Sequence, residues 1–245
     1  MKKTRASLIV PAKNEEDQII AFLERLDETV SIAIEVIIIV DTPEDRTLIP
    51  LTNLNRFKHA VRAVISTNAP GPAGAIKFGI EAAISEIVVV MMADGSDDSR
   101  NIDDLVRLIE RGCVVAAASR YMPGGQQIGG PRFKKFLSKN SSRALRWFAG
   151  LGIHDATNSF KAYSLSFITE VKIESSNGFE VGLELTAKAH RRKNLIAEVP
   201  TIWIDRAFGE SKFQLRKWLP HYLRWFLFAF GLNLIRIGRF SWKKS

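Results

Sequence analysis

Short apolar runs that end in polar or turn-forming residues recur along the chain, separated by segments with apolar residues at helical spacing. The runs lie at residues 7–10, 35–40, 87–92 and 114–118, and alternating apolar residues at 60–65 predict one more strand. Runs of this length are typical of strands buried in a parallel sheet. The pattern therefore predicts an α/β fold, and 245 residues fit one such domain with an appended tail.

The run at 87–92 stops at an acidic turn, Asp94 to Asp98. Carboxylates at the C-terminal end of such a strand lie where open α/β sheets bind ligands. Oxygen ligands suit Mg²⁺ or Mn²⁺, and such an ion can hold the phosphates of a nucleotide. A structural alternative is that Asp97 or Asp98 only caps the helix that follows. The turn alone does not choose between the two.

Three more turns follow predicted strands. Asn14, in the turn at 11–16, is able to cap the first helix or to contact a nucleotide. Asp41 ends the second strand, and its oxygens suit recognition of a base or ribose, although a plain turn has a similar sequence. The Gly/Pro turn at 68–79 matches neither G-x-G-x-x-G nor a P-loop, which disfavours a dinucleotide fold and a P-loop nucleotidase.

A Gly-rich stretch at 122–132 follows Arg120 and precedes Lys134, Lys135 and Ser138. A flexible loop with cations beside a carboxylate site is suited to closing over phosphates. A solvated basic loop is the alternative.

Three later segments also have regular patterns. Residues 160–164 and 196–204 are predicted strands, and residues 179–188 form a predicted helix. On that helix Glu180, Glu184 and Lys188 share one face, which suggests a salt-linked surface exposed to solvent.

The chain carries 35 Lys and Arg against 26 Asp and Glu, a net charge of +9, so an anionic partner is expected: phosphate, nucleic acid or an acidic membrane surface. Nucleic acid is the weakest of these, because the basic residues lie beside strand-end acids and no recognition motif occurs.

The single cysteine, Cys113, excludes an internal disulfide and suits a reducing compartment. Pro11 and Lys13 break the first apolar run, so secretion is not expected.

Residues 218–242 combine aromatic and aliphatic side chains with interspersed Lys and Arg. This composition favours a helical segment that lies in the plane of a membrane surface. Packing on the core or on a second subunit is the alternative. No apolar run approaches the roughly 20 residues that a membrane-spanning helix needs.

Seven motifs occur in one order between about residues 8 and 213: PAKNEE, VDTPED, GPAGAIKFG, VVVMMADGSDD, ASRYMPGG, HDATNSFKAY and EVPTIWIDRAFGESKF. In this order they resemble glycosyltransferase family 2, and within it the dolichyl-phosphate (polyprenyl-phosphate) mannosyl- and glucosyltransferases. The resemblance implies a GT-A fold at 1–213, a Rossmann-like nucleotide-binding sheet flanked by helices. Residues 214–245 would then be an amphipathic, membrane-associated helical segment.

The resemblance also implies roles for individual residues. The catalytic set would be Asp94, Asp97 and Arg120. The nucleotide sugar would be bound by Pro11, Ala12, Asn14, Glu15, Asp41, Ala93 and Asp94. The acceptor phosphate would be bound by Arg120, Lys134, Lys135, Ser138, Arg206, Ser211 and Lys212. Mg²⁺ or Mn²⁺ would be held by Asp94, Ser96 and Asp98.

The acidic motif departs from the family's D-x-D pattern. Asp94 matches the second acid, but Met92 stands where the family has the first. Asp97 or Asp98 is the expected replacement. The resemblance to the family also implies that Glu184 lies near the cleft and not on a solvent-exposed face.

The implied reaction is a metal-dependent, inverting transfer of sugar from a nucleoside-diphosphate sugar, of GDP-mannose or UDP-glucose type, to a polyprenyl or dolichyl phosphate. A phosphate is ionised at neutral pH and needs no strong base, whereas a hydroxyl acceptor would need Asp97 or Asp155 to take its proton. The expected location is the cytoplasmic face of a membrane, and an oligomer is possible. Two alternatives stay open: a transferase acting on a saccharide of a cell-surface polymer, and a catalytically silent nucleotide-sugar-binding protein.

Overall fold

The structure is a computed structural model that describes residues 4–205 and 215–232, the side chains of 215–218 excepted. Its strands are β1 (Ala6–Pro11), β2 (Ile34–Val40), β3 (Ala60–Ile65), β4 (Ile87–Val90), β5 (Val115–Ser119), β6 (Gln126–Ile128), β7 (Lys161–Ser164), β8 (Ile196–Pro200) and β9 (Ile202–Ile204). Its α-helices are α1 (Ile19–Thr29), α2 (Pro72–Ala82), α3 (Ile102–Glu110), α4 (Arg132–Phe148), α5 (Leu165–Val171), α6 (Val181–Arg191) and α7 (Leu215–Ala229).

Seven strands form the central sheet in the order β3-β2-β1-β4-β7-β5-β8. All neighbours pair in parallel except β7, which runs antiparallel to both β4 and β5. The chain moves outward from β1 to β3 and then crosses back to β4, so the carboxyl ends of β1 and β4 meet at a topological switch point. Open α/β sheets bind ligands at such a point. The predicted α/β fold is confirmed.

Apolar residues cover both faces of this sheet. On one face Phe22 of α1 and Leu105 of α3 pack against β1, β2 and β4. On the other face Ile76 of α2 and Leu185 of α6 pack against the same strands and β5. Burial on both faces explains why β2 and β4 are apolar at successive positions instead of alternating.

The predicted strand at 196–204 is two strands. The chain leaves the central sheet after β8, and after Thr201 it continues as β9, which pairs with β6 in a separate two-stranded sheet. The amide of Ile204 donates to the carbonyl of Ser96 at 3.0 Å. The small sheet therefore supports the acidic turn.

The expectation of a solvent-exposed charged face on the helix at 179–188 is wrong. Glu180, Glu184 and Lys188 are all buried, at 1%, 0% and 7% exposure. Glu184 accepts hydrogen bonds from the amides of Glu174 and Ser175 and from Lys188 Nζ. Burial of these charges is possible because backbone donors and an opposite charge satisfy the carboxylate.

Asn14 does not cap α1. The helix begins at Ile19, with Gln18 at the N-cap position, and Asn14 has a left-handed backbone with φ of 51°. Its side-chain oxygen accepts a hydrogen bond from the amide of Arg46 at 3.3 Å.

The helix α7 packs on α6 and buries Trp225 to 1% exposure. Trp225 Nε1 donates to Ser175 Oγ at 2.9 Å. The described part of the C-terminal segment thus packs on the core, as in the structural alternative, while residues 233–245 and the boundary at 213/214 lie outside the described residues. Within residues 4–205 and 215–232, no helix combines the length and the apolar character needed to cross a bilayer.

Gly79 lies where α2 approaches the sheet closely, and it provides a test of this packing. A Cβ atom there would come within 2.5 Å of Ile9 Cγ2 and 2.9 Å of Ile39 Cδ1. We expect Gly79→Ala to lower the free energy of unfolding by about 1–3 kcal/mol, because overpacking outweighs the gain in helix propensity. Thermal denaturation should show a Tm lower by roughly 3–10 °C.

Gly152 is the matched control, since a Cβ there meets nothing within 4 Å. Gly152→Ala should leave Tm nearly unchanged. An equal Tm for the two variants would contradict the close approach of α2 to the sheet.

Candidate active site

The acidic turn follows β4 at the switch point of the sheet. Asp94 is buried, and its Oδ1 accepts hydrogen bonds from the amide of Ser96 at 3.1 Å and from Ser96 Oγ at 2.6 Å. Gly95 between them has φ of 71°, a left-handed conformation that glycine adopts without strain. The turn therefore holds the Asp94 carboxylate in a fixed position at the strand end.

The sequence left open whether Asp97 and Asp98 bind a ligand or cap a helix, and the structure gives the two residues different environments. Asp98 caps the 3₁₀ turn Ser99–Asn101 by accepting from the amide of Arg100, and the Arg100 guanidinium binds the same carboxylate. Asp97 is 2% exposed, and its Oδ1 has no hydrogen-bond partner within the described residues. The orphaned oxygen is the one available to a ligand. The prediction of Asp98 as a metal ligand stays a prediction, and it requires the carboxylate to leave Arg100.

Burial, together with the negative charge of Asp94, raises the pKa of Asp97 to about 7, although the charge of Arg120 opposes the shift. A buried carboxylate beside another carboxylate is destabilised in its ionised form. A cation bound here would lower this pKa again. The pair Asp94 and Asp97 therefore has the electrostatic character of an incomplete cation site.

Arg120 follows β5 and forms a buried ion pair with Asp155. Its Nε donates to Asp155 Oδ2 at 2.7 Å and its Nη2 to Oδ1 at 3.1 Å. The guanidinium lowers the pKa of Asp155 although burial opposes the shift, and the pKa of Arg120 is raised. Both groups are therefore charged at neutral pH. Asp155 has the structural role of holding Arg120 and is a poor proton acceptor.

Ser138 connects α4 to this ion pair. Its Oγ accepts from Arg120 Nη2 at 3.3 Å and lies 2.6 Å from Thr157 Oγ1. The hydrogen bonds of the guanidinium to the described residues come from Nε and Nη2, and Nη1 forms the remaining end of the group. That end of the guanidinium can receive an anion.

A cavity of about 440 Å³ lies over these residues. Its polar lining comes from the sheet edge and includes Asp94, Asp97, Arg120 and Thr157. Its apolar lining comes mainly from α4, α6 and α7, and comprises Leu137, Leu145, Leu183, Leu219, Leu223 and Phe226. The volume is within the range of small-molecule sites. A cavity charged at one side and apolar at the other fits an amphiphilic ligand.

The other predicted acceptor residues divide into three groups. Ser138 and Lys134 line the cavity. Lys135 is absent from that lining, and its Nζ donates to the carbonyl of Gln127 at 2.8 Å. Arg206, Ser211 and Lys212 lie outside the described residues.

Of the predicted nucleotide residues, Asp94 lines this cavity, and the others lie at or after neighbouring strand ends outside its lining. Pro11 ends β1, Ala12 follows it, and the amide of Ala12 donates to the carbonyl of Ile39 at 2.9 Å. The amide of Glu15 donates to Thr47. Both oxygens of Asp41 accept from the amide of Gly71, at 3.2 and 3.1 Å. Ala93, which directly precedes Asp94, is buried. Their nucleotide role stays a prediction.

The residues present fit a divalent cation only in part. Within the described residues no group of three or more His, Cys, Asp or Glu side chains is arranged to hold a metal ion. Asp94 and Asp97 offer two carboxylates, one with an orphaned buried oxygen. Mg²⁺ is commonly bound through one or two carboxylates with substrate phosphates completing its shell. The pair fits an ion that arrives with a nucleotide.

The apolar wall of the cavity was not identified from sequence. Leu137 and Leu145 are two helical turns apart on α4, a spacing visible in the sequence. Phe226 comes from α7, a helix much later in the chain. Helical spacing marks a buried face but does not show that two distant helices enclose a cavity.

The fold places a buried acidic turn, a buried ion pair and a cavity at the carboxyl edge of an α/β sheet, the position at which open α/β sheets bind ligands. Residues 7–171 match the family described as Glycosyl transferase family 2. The chain belongs to this family and is a glycosyltransferase, which confirms the resemblance seen in its motifs.

Characterised relatives include a dolichol-phosphate mannosyltransferase from Pyrococcus furiosus, 28% identical over 243 residues, 97% of this chain and 67% of that protein. An undecaprenyl-phosphate mannosyltransferase from Micrococcus luteus is 27% identical over 85% of this chain and 87% of its own length. A polyprenol monophosphomannose synthase from Mycolicibacterium smegmatis is 31% identical over 51% of this chain, and the match spans about half of that relative, 48%.

Solved structures confirm the GT-A fold. A mycobacterial protein superposes with a TM-score of 0.70 at 18% identity, covering 94% of this chain and 76% of that one. Glucosyl-3-phosphoglycerate synthase from Mycobacterium tuberculosis, crystallised with Mn²⁺, UDP-glucose and phosphoglyceric acid, has a TM-score of 0.67 at 18% identity, covering 94% and 81%. The same enzyme has been crystallised with Mg²⁺ and UDP.

The raised pKa of Asp97 predicts a pH-dependent stability. The folded pKa of about 7 exceeds the ordinary 3.8, so the folded state binds more protons between these values and loses stability as pH rises through them. In metal-free buffer we expect Asp97→Asn to raise Tm by roughly 5 °C near pH 8, with little change near pH 4, because the loss of stability develops between the ordinary and the folded pKa.

Asp104→Asn is the control, because Asp104 is an exposed carboxylate paired with Arg107. Its effect on Tm should be small at both pH values. If Asp97→Asn raised Tm equally at both pH values, the interpretation that ionised Asp97 destabilises the fold would be wrong.

Proposed function

We propose that this glycosyltransferase moves a sugar from a nucleoside-diphosphate sugar, of GDP-mannose or UDP-glucose type, to a polyprenyl phosphate, with inversion at the anomeric carbon. The observation that carries the proposal is the cavity in which Arg120 and two carboxylates face apolar side chains of α4 and α7. The names of the relatives support it, since three of them act on dolichol or polyprenol carriers.

The acceptor proposal follows from the two kinds of lining. Arg120, through its Nη1 end, and Ser138 would receive the acceptor phosphate, with Lys134 beside them. Guanidinium and phosphate form strong charge-assisted hydrogen bonds. Leu219, Leu223 and the other apolar residues would contact the first isoprene units of the lipid. A saccharide acceptor would leave this apolar wall without a partner.

The donor would lie at the switch point between β1 and β4. Asp41, Asn14 and Glu15 would contact the nucleotide, and Asp94 and Asp97 would face its diphosphate. A Mg²⁺ or Mn²⁺ ion held by these two carboxylates would neutralise charge on the diphosphate as it leaves. Ser96, also predicted as a ligand of this ion, donates a hydrogen bond to Asp94 and would orient that carboxylate toward the ion.

The chain's own residues then have simple tasks. Arg120 orients the acceptor oxygen, which attacks the anomeric carbon while the bond from that carbon to the diphosphate breaks. A phosphate acceptor is already ionised, so neither Asp97 nor Asp155 has to remove a proton. The apolar wall excludes water, which strengthens the electrostatic contacts and limits hydrolysis of the donor.

A membrane surface is the proposed place of reaction. The helix α4 carries six basic residues and no acidic one: Arg132, Lys134, Lys135, Lys139, Arg143 and Arg146. Its aromatic residues Phe133, Phe136, Trp147 and Phe148 are 65–77% exposed. Exposed aromatic and basic side chains on one helix are typical of binding to anionic bilayers. The face proposed is cytoplasmic, and α4 would lie beside the mouth of the cavity.

Transfer activity tests the proposed reaction. Radiolabelled GDP-mannose and UDP-glucose are each supplied with polyprenyl phosphate and Mg²⁺ or Mn²⁺, and the lipid product is extracted. We expect transfer from one donor, abolished by chelation. Asp94→Asn should lower kcat/KM by at least about a hundredfold, because charge stabilisation of the leaving group is lost.

Asp104→Asn is the control, since Asp104 is an exposed carboxylate on α3 that pairs with Arg107, and this variant should retain most activity. Transfer only to soluble sugars would support the saccharide alternative, and tight donor binding without turnover would support a silent binding protein. Near-wild-type turnover of Asp94→Asn would contradict the cation site.

Vesicle binding tests the surface of α4. The protein should co-sediment with vesicles containing about 30% anionic lipid and much less with neutral ones. Phe133→Ser combined with Phe136→Ser should weaken binding by roughly tenfold or more, because about 1.5–3 kcal/mol is lost for each apolar side chain that no longer inserts.

Ile84→Ser is the control, since Ile84 is 73% exposed at the end of α2, outside α4. Its binding should equal that of the wild type. Equal losses in the two variants would show that α4 is not the contact surface.

A further inference from the structure

Lys161 is a fully buried lysine, with 0% exposure, in the middle of the central sheet. It begins β7, and the antiparallel register places it opposite Val90 of β4 and Ala117 of β5. Asp94 and Arg120 follow these two strands within four residues. Lys161 therefore lies directly beneath the strand ends that carry the candidate active site.

The ammonium group of Lys161 holds the loop at 155–159. Its Nζ donates to the carbonyl of Ala156 at 2.9 Å and also to the carbonyl of Asn158. The same loop is held on its other side by Asp155, whose Oδ1 accepts from the amides of Thr157 and Asn158 at 3.2 and 3.1 Å. Its backbone is thus fixed by two buried charges of opposite sign.

Burial of this lysine is unfavourable by itself. Desolvation, together with the charge of nearby Arg120, lowers the pKa of Lys161 to about 7, although Asp155 opposes the shift. A methionine would fill similar space without a buried charge. Within the described residues, the hydrogen bonds of the ammonium go to the loop that carries Asp155 and Thr157, both of which bind Arg120.

We propose that Lys161 is a positioning residue for the acceptor phosphate: it fixes the loop at 155–159 and thereby the orientation of the Arg120 guanidinium. The inference rests on the proposed function, in which Arg120 receives that phosphate. Lys161 itself contacts no substrate, because its ammonium is enclosed beneath the loop.

Lys161→Met tests the proposal, with Lys161→Arg as the conservative variant. Relative to the wild type, Lys161→Met should raise KM for polyprenyl phosphate by about tenfold or more and change KM for the nucleotide sugar by less than about twofold. Lys161→Arg should restore much of the acceptor KM, because a guanidinium can donate to the same carbonyls.

Arg62→Met is the matched control. Arg62 donates to the carbonyl of Ala82 and pairs with the buried Glu35 near the opposite edge of the sheet. It should lower Tm without changing KM for the acceptor. A purely structural effect of Lys161→Met would resemble that of Arg62→Met.

A readout without substrate separates this proposal from the proposed function. In ¹⁵N NMR spectra the Nε–H of Arg120, assigned with Arg120→Lys, should exchange slowly in the wild type and in Arg62→Met, and rapidly in Lys161→Met. If the wild type transfers no sugar to polyprenyl phosphate, the proposed function fails and the NMR result still decides the role of Lys161. Slow exchange in Lys161→Met, or a wild-type acceptor KM, would overturn the inference.

Discussion

The buried ion pair between Arg120 and Asp155 is the interaction on which the site depends. Asp155 is fully buried and binds the guanidinium through both of its oxygens. Loss of either partner would leave an uncompensated charge in the interior, a change that typically costs about 3–5 kcal/mol. The pair joins the end of β5 to the loop before β7, and Ser138 links α4 to it. The ion pair therefore fixes the positions of β5, the loop before β7 and α4 relative to one another at the cavity.

Most of the sheet could be predicted from the sequence, because strands buried on both faces need continuous apolar runs, and residues 35–40 match β2 to within one residue. The half-buried edge strand β3 was predicted from apolar alternation at 60–65. The direction of β7 could not be predicted, since pairing direction depends on where the chain returns and not on local composition. The break at Thr201 was missed for a related reason: apolar alternation continues through it, although the two halves pair with different sheets.

The part of the site that could be predicted from the sequence is the set of residues that follow the ends of strands. Asp94 and Arg120 follow β4 and β5, which are separated only by β7, so both reach one edge of the sheet. The choice between Asp97 and Asp98 depended on which carboxylate Arg100 would bind, and two adjacent acids offer no sequence signal for that. Burial of Glu184 was missed because its partners are backbone amides of a loop that helical periodicity does not describe.

The charge balance of the site explains why a donor and a cation would bind together. With every group ionised, Asp94, Asp97 and Asp155 contribute three negative charges, and Arg120 and Lys161 contribute two positive ones, a net charge of −1 for these five residues. A site with that balance would repel a diphosphate. The pKa of Asp97 is raised first by burial and also by the negative charges of Asp94 and Asp155. A divalent cation would change the sum to +1, so the proposed anionic donor would be attracted only when the cation accompanies it. Met92 stands in place of the first acid of the motif, and an acid there would make the sum −2, which one divalent ion would neutralise without reversing.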